Sequence, residues 1–275
     1  MEKFFVGRGT LVLSAAALAV LVFSGCGKKN ETAPAAATPT PAALPVASAA
    51  SSAIVPVAAP PLTGEITPAI VQNGPDSITH YLHFPKDPAL AKHDSVVQFY
   101  CDVSERGTVE TTYGVVGNDK AFRTAVQSAL DWGRFQPATV DGRAVPAYVG
   151  GTVFFWHENA APVIVVSLGT EERDRVGKMT NYIQPQLIGG LRRAAARVIR
   201  QIPHNFPVDG QAEVVVNVDE KGVVKSTKIV GEHPKGSGLG HLLERAIEGA
   251  QFTHGFENGK ATAGSVNVVA DFSLL

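Results

Sequence analysis

Two stretches of this chain, 97–156 and 212–273, carry one pattern twice, so the fold of one constrains the fold of the other. Each copy opens on strict alternation: Val97, Phe99, Cys101 and Val103 in the first, Ala212, Val214, Val216 and Val218 in the second. Period two predicts a half-buried strand. A turn follows, Ser104-Glu105-Arg106-Gly107 or Asp219-Glu220-Lys221-Gly222, its glycine suited to positive φ. A second strand comes next, Thr108 to Val116 or Val223 to Val230. The period then becomes helical. Phe122, Ala125, Val126, Ala129 and Leu130 form one apolar stripe, and Leu239, Leu242, Leu243, Ala246 and Ile247 form its counterpart. Phe135 and Phe252 follow at matching distance, then Gly142 and Gly259 in turns. A last strand closes each copy, with inner faces Val149, Gly151, Val153, Phe155 and Val266, Val268, Ala270, Phe272. The order predicts an α+β fold: two tandem two-layer α/β domains, each a small antiparallel sheet covered by helices.

The remaining segments place these copies. Between them, Pro162 to Leu168 reads as an extra strand, and Glu171 to Arg175 as a charged loop. A helix is expected from about Gln186 to Gln201, with Leu187, Ile188, Leu191, Ala195, Val198 and Ile202 as its apolar stripe. Arg193, Arg197 and Arg200 lie opposite and read first as a solvated face. Ahead of the copies, Lys3 and Arg8 precede an apolar run from Leu11 to Phe23, then Ser24-Gly25-Cys26. That run falls short of the ~20 residues that span a bilayer comfortably, as a signal peptide does. Small residues before a lone cysteine resemble the bacterial lipobox, in which Cys26 would become the acylated first mature residue. Glu31 to Leu62 is rich in Ala, Pro, Ser and Thr with no charge after Glu31, a linker composition that tends towards extended PPII. The expected organisation is therefore a signal peptide at 1–25, the lipidated Cys26 and linker at 26–62, and domains at 63–160 and 161–275.

Chemistry is not signalled. Charged residues make up 18% of the chain and the formal net charge is −1, so nothing global points to nucleic acid. The two cysteines cannot form a disulfide framework or a Cys-rich zinc site, and Cys101 reads as a small core hydrophobe. His80, His83 and His93 lack the company of a metal site. No nucleophile elbow, P-loop or dinucleotide fingerprint occurs. The expectation is a protein that is not an enzyme, with no cofactor.

The run Ala129-Leu130-Asp131-Trp132-Gly133-Arg134-Phe135-Gln136-Pro137-Ala138, with Gly142 and Val145 beyond it, resembles the TonB C-terminal domain family. His83-Phe84-Pro85 looks like that family's Tyr-Pro lead-in. The second copy matches more loosely: Gly249 stands in place of the Trp and His254 in place of the Pro. The resemblance implies that Trp132 and Phe135 pack the helix onto the sheet. It also implies binding of a short peptide of an outer-membrane receptor or another envelope protein, added beside the closing strand. The expected docking edge is Ala147, Val149, Gly150, Gly151, Thr152, Val153 and Phe154, the glycines allowing close backbone approach. The alternative at that edge is that the second copy, or Pro162 to Leu168, covers it. The expected role is a lipid-anchored, periplasm-facing lipoprotein in TonB-related transport, sorted to the outer membrane because Gly27 follows Cys26. Alternatives are an energy transducer with an uncleaved N-terminal anchor, or an envelope scaffold on peptidoglycan. Ser14 is followed four residues on by Leu18, not the His of that family's motor-coupling helix.

Overall fold

Alternation builds the expected strands in both copies. The computed structural model describes residues 62–90, 92–176, 181–201 and 209–275. The signal segment, Cys26, nearly all of the linker and Ile202 lie outside those residues. Strand β1 (Ser95–Val103) buries Val97, Phe99, Cys101 and Val103. Its hairpin partner is β2 (Val109–Val116). Helix α1 (Lys120–Trp132) buries Phe122, Val126, Ala129 and Leu130 on that side. The closing strand β3 (Ala147–Glu158) runs antiparallel to β1, with Val97 opposite Val153 and Cys101 opposite Val149. These apolar faces form the first core, with Phe135 inside it.

β4 (Ala161–Ser167) returns along β3 through a two-residue turn, with Asn159 and Ala160 at φ of 50° and 64°. Positive φ at both central positions matches the right-handed twist of a hairpin. The extra strand expected near Pro162 to Leu168 is therefore present. It is hydrogen-bonded into the first copy's sheet, so the boundary expected at residue 160 falls inside a hairpin.

The second copy repeats the plan. β5 (Leu187–Ile188) precedes helix α2 (Leu191–Ile199), followed by β6 (Gln211–Val218), β7 (Val224–His233), helix α3 (Leu239–Glu248) and β8 (Gly264–Asp271). Its sheet has the order β7-β6-β8, with Val214 opposite Val268 and Val216 opposite Val266. The hairpin turns of the two copies share hydrogen bonds. Gly107 donates to the Ser104 carbonyl at 2.9 Å and Gly222 to the Asp219 carbonyl at 3.0 Å. The side chains of Ser104 and Asp219 accept from amides two and four residues on.

Two expectations are corrected. The helix expected from Gln186 begins at Leu191, because Gly189 and Gly190 sit at φ of 87° and 77°, outside the right-handed helical region. Leu187 and Ile188 are instead a strand, paired on one side with Phe252 and Gln251 and on the other with Tyr148 and Ala147 of β3. Trp132 does not pack onto the sheet; it is 72% exposed. At 100° per residue it lies about a third of a turn from the centre of the stripe of Phe122, Val126 and Leu130, whereas Phe135 is buried as expected.

The first sheet is covered on both faces except at the end that carries Val96 and Val116. Its odd-numbered β1 residues face α1, while Tyr100, Tyr113 and Tyr148 enter a second core with the apolar faces of β6, β8 and α3. All described residues belong to one compact unit, Ala53–Leu275. No helix among them is long and apolar enough to cross a membrane.

Candidate functional site

The expected docking edge is occupied by the chain itself. On the outer side of β3, β4 pairs from Thr152 to Glu158 and β5 pairs at Ala147 and Tyr148. Between them the Gln184 side chain donates to the Gly150 carbonyl at 2.9 Å. Val149, Val153 and Phe154 are fully buried. The glycines serve internal packing: a Cβ on Gly151 would lie 2.5 Å from the Phe99 ring, and one on Gly150 2.8 Å from Gln184 Nε2. A peptide cannot add along Ala147–Phe154 without displacing β4 and β5, so the alternative holds in both its forms: Pro162 to Leu168 covers one part of the edge and the second copy, through β5, the other.

Of the strands β1 to β8, four keep one side without a ladder among the described residues: β2 pairs with β1 alone, β4 with β3 alone, and β7 and β8 each with β6 alone. β4 lines a cavity with Ile70, Tyr182 and Ile183, and the outer side of β8 meets the Tyr148 hydroxyl through the Val269 amide. The other two edges differ. β2 lies against the second copy, since Val269 of β8 sits over Gly114. β7 is open along much of its length, with Val230 52% exposed and nothing within 4 Å of a Cβ placed on Gly231.

Residues that bind the copies together were not singled out in the sequence. Asp102 of β1 is buried, and its carboxylate accepts from the amides of Leu191 at 2.8 Å and Arg192 at 3.2 Å. It thus caps α2 of the other copy, where Gly190 has no side chain to do so. The Tyr113 hydroxyl donates to the same carboxylate at 2.8 Å. Burial pushes the Asp102 carboxyl above its ordinary value, against the opposing pull of these three donors. Gln186, also buried, joins Ala69 through both side-chain amide atoms at 2.8 Å and Thr253 through its backbone. Tyr148 receives the Val269 amide on its hydroxyl at 2.7 Å, taking up an outward-facing group of β8.

The arginine stripe is partly structural. Arg193, Arg197 and Arg200 line a groove of about 540 Å3 with 249–251. Arg197 donates to the Gly249 carbonyl at 2.5 Å, at the C-terminal end of α3, where a cation is favoured. Arg200 returns to its own helix at the Ala196 carbonyl.

Cys101 is buried and unpaired, and burial drives its thiol well above the ordinary range. It is a hydrophobe rather than a nucleophile. Cys101→Val is expected to shift stability by less than ~1.5 kcal/mol, read from the urea midpoint; a larger loss would mean the sulfur does more than fill space. Among the described residues no three of His, Cys, Asp or Glu are grouped to hold a metal ion.

Carboxylates of a different kind gather where the copies meet. The Glu213 side chain on β6 makes no hydrogen bond or ion pair among the described residues, and burial raises its pKa. Glu171 is raised by desolvation and then by the charge of Glu213, and accepts from Asn267 at 3.3 Å. Both carboxylates act on Tyr100.

In comparisons with known proteins, the chain matches no family model, no curated protein and no solved structure.

Proposed function

We propose that this chain is a non-catalytic binding module of the bacterial envelope, anchored through acyl chains on Cys26 and carrying two tandem TonB C-terminal-like domains. Its partner is an outer-membrane receptor or another envelope protein, which contributes an extended segment by strand addition in TonB-related transport. Several acyl chains, each gaining ~0.8 kcal/mol per buried CH2, suffice to hold a folded unit at a bilayer. The proline-rich linker projects it into the periplasm.

The observation that supports this reading most is how the sheet edges are distributed. The closing strand of the first copy has already taken up an added antiparallel strand, β4. β7 has no such addition among the described residues. The reading therefore moves the docking edge from β3 to β7. An unpaired edge offers a row of backbone donors and acceptors that a partner strand can satisfy. Lys225 and Lys228 on β7 disfavour apolar self-pairing of that edge.

The test places proline at Thr227 and at Lys228, one at a time. Neighbouring amides point to opposite sides of a strand, so one proline disrupts the ladder to β6 and the other only the outer edge. The expected result is one folded variant, judged by circular dichroism, that loses partner crosslinking in the intact envelope. Two folded variants that crosslink normally would remove β7 as the docking edge.

A further inference from the structure

Two cavities, of about 290 Å3 and 410 Å3, share Gln98 and Val116 in their walls and run together across the uncovered end of the first sheet. One reaches Glu213 and the end of β7; the other reaches Trp156 and Asp119. The middle is apolar and open to water: Val96 is 41% exposed and Val116 52%. Exposed valines on adjacent strand ends, beside a tyrosine and a tryptophan, make a surface that gains by being covered.

The charges around this floor are one-sided. Arg173 is already spent, bonded to Asp94 at 2.8 Å and stacked 5.4 Å from the Trp156 ring centre. Glu232 is also spoken for, accepting from the amides of Gly238 and Gly240. Asp119 precedes α1 without capping it by its side chain, and the Glu213 side chain has no partner among the described residues. Each arm of the groove thus holds a carboxylate without a cation, with apolar floor between. Two carboxylates near each other in a partly desolvated place are stabilised by an incoming cation.

We infer that this groove between the copies binds an extended peptide segment with lysine or arginine side chains alternating with apolar ones. In an extended segment successive side chains point to opposite sides. Apolar residues on one side cover Val96 and Val116, while flanking cations reach Glu213 in one arm and Asp119 in the other. The inference rests on the reading of the chain as a binding module, but not on the β7 edge.

The probe is acetyl-Val-Lys-Val-Lys-Val-amide, with acetyl-Val-Glu-Val-Glu-Val-amide as its charge-reversed control. The reporter is tryptophan emission of the full chain carrying Trp132→Phe; Trp132 is exposed and outside the groove, so Trp156 then reports alone. The expected result is a saturable shift with the lysine peptide and none with the glutamate peptide. Glu213→Gln should weaken the lysine peptide about fivefold, as loss of one partly exposed pair does, and Glu213→Lys should reverse the preference. Val116→Ser should weaken it independently of charge. Equal response to both peptides, no saturation up to millimolar concentration, or indifference to both Glu213 variants would overturn the inference. So would a dimer in light scattering that Val116→Ser dissociates, since the occupant would then be a second copy of the chain. The prolines at Thr227 and Lys228 keep the readings apart: lost crosslinking with an unchanged peptide titration leaves the groove standing, and a failed titration with intact edge effects removes the groove alone.

Discussion

Asp102→Ala is expected to lower the stability of the folded unit by roughly 3 kcal/mol. The cap consists of the carboxylate's bonds to the Leu191 and Arg192 amides, and because the Leu191 amide, held at 2.8 Å, is buried, losing the cap costs about 1–3 kcal/mol rather than the ~1 kcal/mol of an exposed one. The Tyr113 hydroxyl loses its acceptor as well. Release from burying a charge offsets part of this sum. The damage should be local in hydrogen exchange, with the amides of Leu191 and Arg192 losing protection first. A variant within about 1 kcal/mol of the parent in urea denaturation would mean that the cap does not join the copies.

Asp102→Asn separates charge from shape. The folded-state pKa of Asp102 is raised, chiefly by burial. A carboxyl raised in the fold contributes stability that is fully present below its unfolded value, about 3.9, and is lost as pH rises through the folded one. The parent should therefore gain on Asp102→Asn as pH is lowered from 7 towards 4, then level off. A difference that is flat over that range would contradict the raised value.

The parts of this fold that depend on neighbours in sequence were legible. Alternation placed β1, β6 and β8, the turn glycines ended at Gly107 and Gly222, and the helical stripes of α1 and α3 bury the expected side chains. Contacts between the copies were not legible, because they join residues far apart in sequence. Asp102 breaks no alternation; it simply occupies an even position in β1, facing away from Cys101 and Val103. Its role appears only when Gly190 brings the start of α2 beneath it. Gly150 and Gly151 misled for a related reason. A glycine pair in a strand signals that something approaches closely, but not whether it is a partner's backbone or the protein's own Phe99 and Gln184. The helix expected at Gln186 failed because Leu187 and Ile188 are apolar in either conformation, and only the positive φ at Gly189 and Gly190 decides between them. Of the candidate groove, Glu213 was visible only as a charge within an alternating strand, and nothing in the sequence set it beside Glu171.

Gly107→Ala and Gly222→Ala should each cost about 3 kcal/mol, whereas Gly142→Ala and Gly259→Ala should cost only about 1 kcal/mol. All four glycines have φ between 72° and 78°, so each substitution carries the left-handed penalty of about 1–2 kcal/mol. What separates the pairs is space. A Cβ on Gly107 would lie 2.0 Å from the Phe135 carbonyl oxygen, and one on Gly222 2.3 Å from that of Phe252, while nothing lies within 4 Å of Gly142 or Gly259. The obstruction is backbone and cannot swing aside like a flexible side chain. In the first copy the Phe135 amide also donates to the Gly107 carbonyl at 2.8 Å, so retreat breaks a hydrogen bond. Overpacking of this kind adds about 1–3 kcal/mol. Urea denaturation of the four single variants reads the contrast, and four equal losses would reject it. The tight pair occupies matching positions in the two copies, each where the β-hairpin turn meets the strand after the helix. Equal losses within that pair would mean the repeat reproduces a backbone contact as well as a pattern of apolar side chains, and that both copies depend on it to seat Phe135 and Phe252 in their cores.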